Sequence, residues 1–164
     1  HDARSRAICS ATGAASAARN PTPAALDRLG AQRAWVVHSE DGHDEPSPCA
    51  VAHVRCSIEG ERSALSIEPG KYFARAELAS LRGADAEHNA GLIRALLDGA
   101  AGPVRDVVLL NAAAALCAAG HKDVSDLGDA VELAARTVDS GAARALLKSW
   151  MEWCAAAMAE ERRA

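Results

Sequence analysis

Aromatic residues make up 3% of this 164-residue sequence: three tryptophans, one tyrosine and one phenylalanine. So thin a supply excludes a row of stacking platforms for bases. The net charge of −4 supplies no basic footprint for a phosphate backbone, so nucleic acid is not an expected partner. No apolar run approaches the ~18 residues of a membrane span, and Asn111 interrupts the best one. The opening residues, with Asp2, Arg4 and Arg6, lack the apolar centre of a secretion signal. The five cysteines are odd in number, widely spaced and without a Cys-x-x-Cys pair. They exclude a disulfide framework or zinc knuckle and read as reduced thiols, so the expected location is cytoplasmic. The glycines never form G-x-G-x-x-G or a Walker A loop, and neither Gly-x-Ser-x-Gly nor His-Glu-x-x-His occurs.

The length fits one domain, able to bury ~70% of its unfolded surface. Abundant alanine favours closely packed helices over an all-β fold. Residues 1–23, rich in Ala, Ser, Arg and Gly and ending in Asn20-Pro21-Thr22-Pro23, read as an irregular lead-in, and residues 24–164 as a partial α/β domain. The pattern predicts a short helix over 24–29 stopped by Gly30, then a strand around Trp35. Two further strands over 51–56 and 62–67 are joined by a Glu59-Gly60-Glu61 turn. Helices follow: a turn over 78–82 and a helix over 86–98. The strongest runs over 103–119, with Pro103 at its first position and Gly120 as a left-handed stop. Being apolar nearly all round, that helix is expected to be buried. Ser125 is placed to cap the next helix, which ends near Val138. The last starts at Ala142 and carries Leu146, Leu147, Trp150, Trp153 and Cys154 at near-helical spacing.

Chemistry concentrates at Trp35-Val36-Val37-His38-Ser39-Glu40-Asp41-Gly42-His43-Asp44-Glu45, where an apolar strand gives way to four carboxylates and two imidazoles. A buried strand that delivers acidic groups at its carboxyl end is a common way to build an α/β site. The adjacent Asp44 and Glu45 suit a hard cation such as Mg²⁺, held by one or two carboxylates plus substrate phosphates. The plain alternative is a solvated turn. His38 and His43, with Glu40 or Asp41, are weaker metal candidates because their spacing matches no zinc signature. Ser39 and Ser47 lie near histidines without an activating elbow, and the cysteines lack an activating environment, so no catalytic nucleophile is assigned. Asn111 reads as a satisfied core polar group, and Arg105-Asp106 as a surface pair or helix-dipole partner.

Four segments carry a resemblance to one family. Val36-Val37-His38 with Asp41-Gly42-His43-Asp44-Glu45 resembles the V-V-H-G-x-x-G-x-D-E segment of anthranilate phosphoribosyltransferase. Leu81-Arg82-Gly83-Ala84-Asp85-Ala86-Glu87-His88-Asn89-Ala90 is similar to its L-R-G-G-D-x-x-x-N-A. The run from Pro103 through Asn111 to Leu116 carries the strongest likeness, and Asp139-Ser140-Gly141-Ala142 resembles D-S-G-x-A. The resemblance implies the C-terminal part of a phosphoribosyltransferase or nucleoside-phosphorylase-like α/β domain, with a few strands followed by several packed helices. It implies transfer of phosphoribosyl from phosphoribosyl pyrophosphate to anthranilate, in tryptophan biosynthesis. It also implies Mg²⁺ held by the Asp-Glu pair, here Asp44 and Glu45. The family is dimeric through a helical domain without a counterpart here.

The departures set further expectations. The family's G-T-G-G-D pyrophosphate loop, its nearby Lys and Asn and its anthranilate-binding arginine have no counterpart in residues 1–29, although Arg4 and Arg6 echo an N-P-A-R-P-R segment. Ser39 and Ala84 replace glycines, His43 a leucine and Pro46 an isoleucine, while Cys49-Ala50-Val51 stands in place of T-G-P. The chain alone is therefore expected to lack a complete site, with its substrate-binding residues unassigned. The alternatives are a non-catalytic remnant or interaction module that keeps the packing residues, and, more weakly, a nucleoside phosphorylase-type enzyme.

Overall fold

Burial of one strand on both faces organises the molecule. A computed structural model describes residues 6–10, as backbone, and residues 22–163. Strand β2 (Arg33–Ser39) has Ala34, Trp35, Val36, Val37 and Ser39 buried. It pairs in parallel with β1 (Arg6–Ser10) and antiparallel with β3 (Ala52–Ile58), which in turn pairs antiparallel with β4 (Glu61–Ile67). The sheet order is β1-β2-β3-β4. Strand β1 falls within the stretch expected to be irregular. A five-residue strand offers little periodicity, and its partner β2 supplies the pairing. Of the two arginines noted in that stretch, Arg4 lies outside the described residues, as does the side chain of Arg6.

The β3–β4 hairpin turns on two residues, Glu59 (φ 52°) and Gly60 (φ 85°), both left-handed as a tight twisted hairpin requires. On one face of the sheet, Trp35, Val37, Ala52, Val54 and Cys56 form the core with Leu110, Ala114 and Ala118. Those three lie at i, i+4 and i+8 of α4 (Pro103–Ala119), so one stripe of that helix packs on the sheet. The opposite face receives α1 (Thr22–Arg28), whose Asp27 accepts a hydrogen bond from Ser57 Oγ at 2.5 Å. After a one-turn helix α2 (Pro69–Tyr72) and a 3₁₀ turn (Leu78–Leu81), α3 (Ala86–Leu97), α5 (Leu127–Asp139) and α6 (Ala142–Glu161) complete the chain. The architecture is α/β, a small sheet followed by packed helices.

Helix α4 begins and ends as its sequence indicates, with Pro103 after Gly102 and Gly120 left-handed at φ 62°. Arg33 reaches from β2 to the end of α4 and donates to the carbonyls of Ala118 (3.0 Å) and Cys117 (3.4 Å), placing a cation at the negative end of the helix dipole. A Cβ at Gly120 would stand 2.9 Å from Arg33 Cζ, so this glycine answers both a backbone and a packing demand. The cap of α5 is Asp126 rather than Ser125: its carboxylate accepts from the Asp129 amide at 3.0 Å, while the Ser125 amide donates to Asp129 Oδ2. The two positions are adjacent and both suit a cap, and backbone geometry selects the second. Helix α6 turns much of its apolar surface outward, with Leu146 72%, Trp150 60% and Trp153 68% exposed, while Leu147 and Cys154 are half-buried.

Candidate functional site

The acidic loop leaves the carboxyl end of β2 and returns into β3. Its closure is local. The Ser39 amide donates to the His43 carbonyl (2.9 Å), the Gly42 amide to the Ser39 carbonyl (3.0 Å) and the Glu40 amide to the Val51 carbonyl (2.9 Å). Asp41 fastens the loop internally. Its Oδ2 accepts from Ser47 Oγ at 2.7 Å and its Oδ1 from the His43 amide at 3.2 Å. Nδ1 of His43 also lies 3.2 Å from Oδ1, at ion-pair distance but without hydrogen-bond alignment. Burial pushes the Asp41 carboxyl upward, and the hydrogen bonds from Ser47, Ser39 and His43 outweigh it, leaving Asp41 below the ordinary carboxylate value.

Glu40 is engaged as well, with its Oε1 3.0 Å from Nε2 of His53 on β3. Asp44 and Glu45 differ from both. Asp44 is partly exposed, Glu45 is exposed, and neither has a hydrogen bond or ion pair among the described residues. Immediately after them, Pro46, Ser47 and Pro48 are buried, so the pair projects from an anchored base. Two anchors come from elsewhere in the chain. Asn111 Nδ2 donates to the Pro46 carbonyl at 2.8 Å and to Val107 O at 2.8 Å, and the Ala76 amide donates to the Pro48 carbonyl at 3.0 Å.

The expectation that His38 and His43 join Glu40 or Asp41 as ligands is not met by the geometry. Among the described residues, no group of three or more His, Cys, Asp or Glu side chains converges as a metal cage. The reason is competition: Asp41 and Glu40 are already used by hydrogen-bond donors within the fold. His38 stays near the end of β2, its Nδ1 shielded and without a hydrogen-bond partner among the described residues. The thiols of Cys56 and Cys117 are pushed up by burial, which keeps them protonated and poorly nucleophilic.

The four sequence motifs are brought into one connected arrangement. His43 of the first shares a cleft of about 270 Å³ with Leu81 and Arg82 of the second. Arg82 is exposed there, without an ion-pair partner among the described residues. It is a cationic neighbour of the acidic loop that pattern reading passed over, because no spacing links residues 43 and 82. The remainder of the second motif is structural. Asp85 caps α3 through the His88 amide (2.8 Å), and Asn89 clamps Ala84 through both its amide and carbonyl. Gly83 is held to glycine because a Cβ would meet Asn89 Oδ1 at 2.6 Å. The third motif supplies Asn111 to the loop and Arg105 to the fourth, where Arg105 Nη2 lies 2.8 Å from Asp139 Oδ1.

Comparison with known proteins decides what this arrangement belongs to. Residues 9–144 match the family described as "Glycosyl transferase family, a/b domain". The chain belongs to that family. Its relatives include anthranilate phosphoribosyltransferases of Azospirillum brasilense, 48% identical over 78% of this chain, and of Moorella thermoacetica, 44% identical over 79%. This glycosyl transferase chain spans 36% and 38% of the length of those two relatives. Among solved structures it is similar to anthranilate phosphoribosyltransferase from Thermus thermophilus. That likeness has a TM-score of 0.67 and 39% identity, over 79% of this chain and 38% of the other. The fold also matches the Saccharomyces cerevisiae enzyme in complex with PRPP and Mg, with a TM-score of 0.61 and 24% identity over 72% of this chain and 34% of the other.

Proposed function

We propose that this chain forms the cation-holding part of an anthranilate phosphoribosyltransferase, which transfers phosphoribosyl from phosphoribosyl pyrophosphate to anthranilate. One observation carries the reading: among the described residues Asp44 and Glu45 have no partner, in a loop where Glu40 and Asp41 both have one. Two such carboxylates on an anchored base fit Mg²⁺, which takes few protein ligands and completes its shell with water and phosphate oxygens. Mg²⁺ would supply neutralisation of the negative charge that accumulates on the departing pyrophosphate. The chain's own residues hold the carboxylates outward, keep Asp41 ionised as a fastener, and place Arg82 beside the loop as a counter-charge for phosphate. The yeast enzyme of the same fold, described with PRPP and Mg, supports the choice of cation and donor.

On the expectation that the family's glycine-rich pyrophosphate loop and anthranilate-binding arginine have no counterpart in this sequence, activity depends on polypeptide that supplies them. Phosphoribosylanthranilate formation by the isolated full chain is expected to be absent. Mixing it with the remaining part of a relative is expected to restore turnover, which Asp44→Ala then abolishes. Robust turnover by the chain alone would overturn the claim of incompleteness. Failure to complement, without any Mg²⁺-dependent binding of phosphoribosyl pyrophosphate, would favour a second reading. That reading is a non-catalytic interaction module, supported by the exposed apolar row of α6.

A further inference from the structure

The Asp44–Glu45 pair lies between two fasteners of different origin. One is internal to the loop, the Ser47–Asp41 hydrogen bond across six residues. The other comes from the core helix α4: Asn111 Nδ2 donates at 2.8 Å to the carbonyl of Pro46, the residue that follows Glu45, across 65 positions of sequence. Neither Ser47 nor Asn111 hydrogen-bonds to Asp44 or Glu45 among the described residues. Proline fixes its own φ, and Pro46 is fully buried, so its carbonyl is a stiff point from which the two preceding residues take their direction. Asn111 is itself fixed, because the same Nδ2 also donates to Val107 O one turn back on α4. The carbonyl would otherwise be a buried acceptor without a side-chain donor, a costly arrangement that the loop would relieve by moving.

We propose that Asn111 is a positioning residue for the cation-holding pair, setting the direction of Asp44 and Glu45 from the core helix. The proposal rests on the assignment of Asp44 and Glu45 to a divalent cation. Groups that orient ligands from behind commonly alter metal affinity by about 10- to 100-fold when removed. Leucine has nearly the shape of asparagine without the donor, so Asn111→Leu separates the hydrogen bond from packing.

The experiment uses the full chain and Mn²⁺ as the probe, with affinity read by electron paramagnetic resonance and loop order by amide hydrogen exchange. In Asn111→Leu, Mn²⁺ affinity is expected to fall about tenfold or more, with faster exchange at Asp44, Glu45 and Ser47. Asp126→Ala, which removes the α5 cap, is the control for general destabilisation and is expected to leave Mn²⁺ affinity unchanged. Unchanged affinity and unchanged loop exchange in Asn111→Leu would overturn the proposal. An equal loss of affinity in Asp126→Ala would overturn it too. Should the unsubstituted chain bind no Mn²⁺, the cation assignment fails, and loop exchange in Asn111→Leu alone decides whether Asn111 orients the pair. Should Asn111→Leu not fold, the unsubstituted chain still decides by NMR. The side-chain amide signals of Asn111 are expected to shift with Mg²⁺ at the midpoint shown by the Asp44 and Glu45 amides. A silent Asn111 contradicts the proposal.

Discussion

At the scale of single residues, the four carboxylates of one loop divide into fasteners and presenters. Asp41 and Glu40 are occupied by neighbours; Asp44 and Glu45 have no partner among the described residues. Asp41 gives this division a pH signature. Its folded carboxyl lies below its unfolded value of 3.8, so its stabilising effect is fully present above that value and is lost as pH falls through the folded one. Ser47→Ala removes the shortest of its hydrogen bonds. We expect the Asp41 carboxyl to titrate at higher pH in that variant, by carbon NMR, and stability to fall by about 1–2 kcal/mol at neutral pH. An unshifted titration would show that Ser47 does not hold the carboxylate. Asp44→Asn and Glu45→Gln should behave oppositely, with melting within a degree or two of the parent and Mn²⁺ binding lost.

The elements are joined by polar contacts at their ends. Helix α4 is held by Arg33 at its C-terminus, by the Arg105–Asp139 pair near its start and by Asn111 on the loop. Gly120→Ala tests the first junction. The left-handed backbone costs about 1–2 kcal/mol for a residue with a Cβ, and the new Cβ would press on Arg33. We therefore expect a lower denaturant midpoint for Gly120→Ala; in an Arg33→Ala background only the part due to the contact is relieved and the backbone cost remains. Asp126→Ala should cost about 1 kcal/mol through the lost α5 cap, whereas Ser125→Ala should cost little. Equal effects in chemical unfolding would return the cap to Ser125.

Across the whole molecule, the core and the apolar surface are unevenly shared. Helix α4, expected to be buried, lies between the sheet and α5, with Leu109 against Ala134 and Val138. The exposure falls on α6 instead, at Leu146, Trp150, Met151, Trp153 and Met158. A contiguous apolar row of this kind promotes association. Light scattering is expected to rise with concentration for the full chain, and Trp150→Lys with Trp153→Lys should suppress the rise while keeping the helical circular dichroism. No helix among the described residues is long and apolar enough to cross a membrane.

Local structure was legible in the residues alone: the hairpin at Glu59-Gly60, the limits of α4 at Pro103 and Gly120, and the strand that ends in acid. Each depends on neighbours within a few positions, through proline, glycine and alternation. Family membership was legible for a related reason, since Gly83, Asp85 and Asn89 form a compact device whose residue types recur as a motif. The irregular reading of residues 6–10 and the cap at Ser125 failed where pairing or backbone geometry chose between similar options. Which acids gain partners was settled by tertiary packing. Asp41 finds Ser47 six residues away, Glu40 finds His53 across the sheet, and Asn111 reaches Pro46 over 65 positions. A carboxylate's role follows from the partners that reach it, and those partners are set by packing rather than by spacing along the chain.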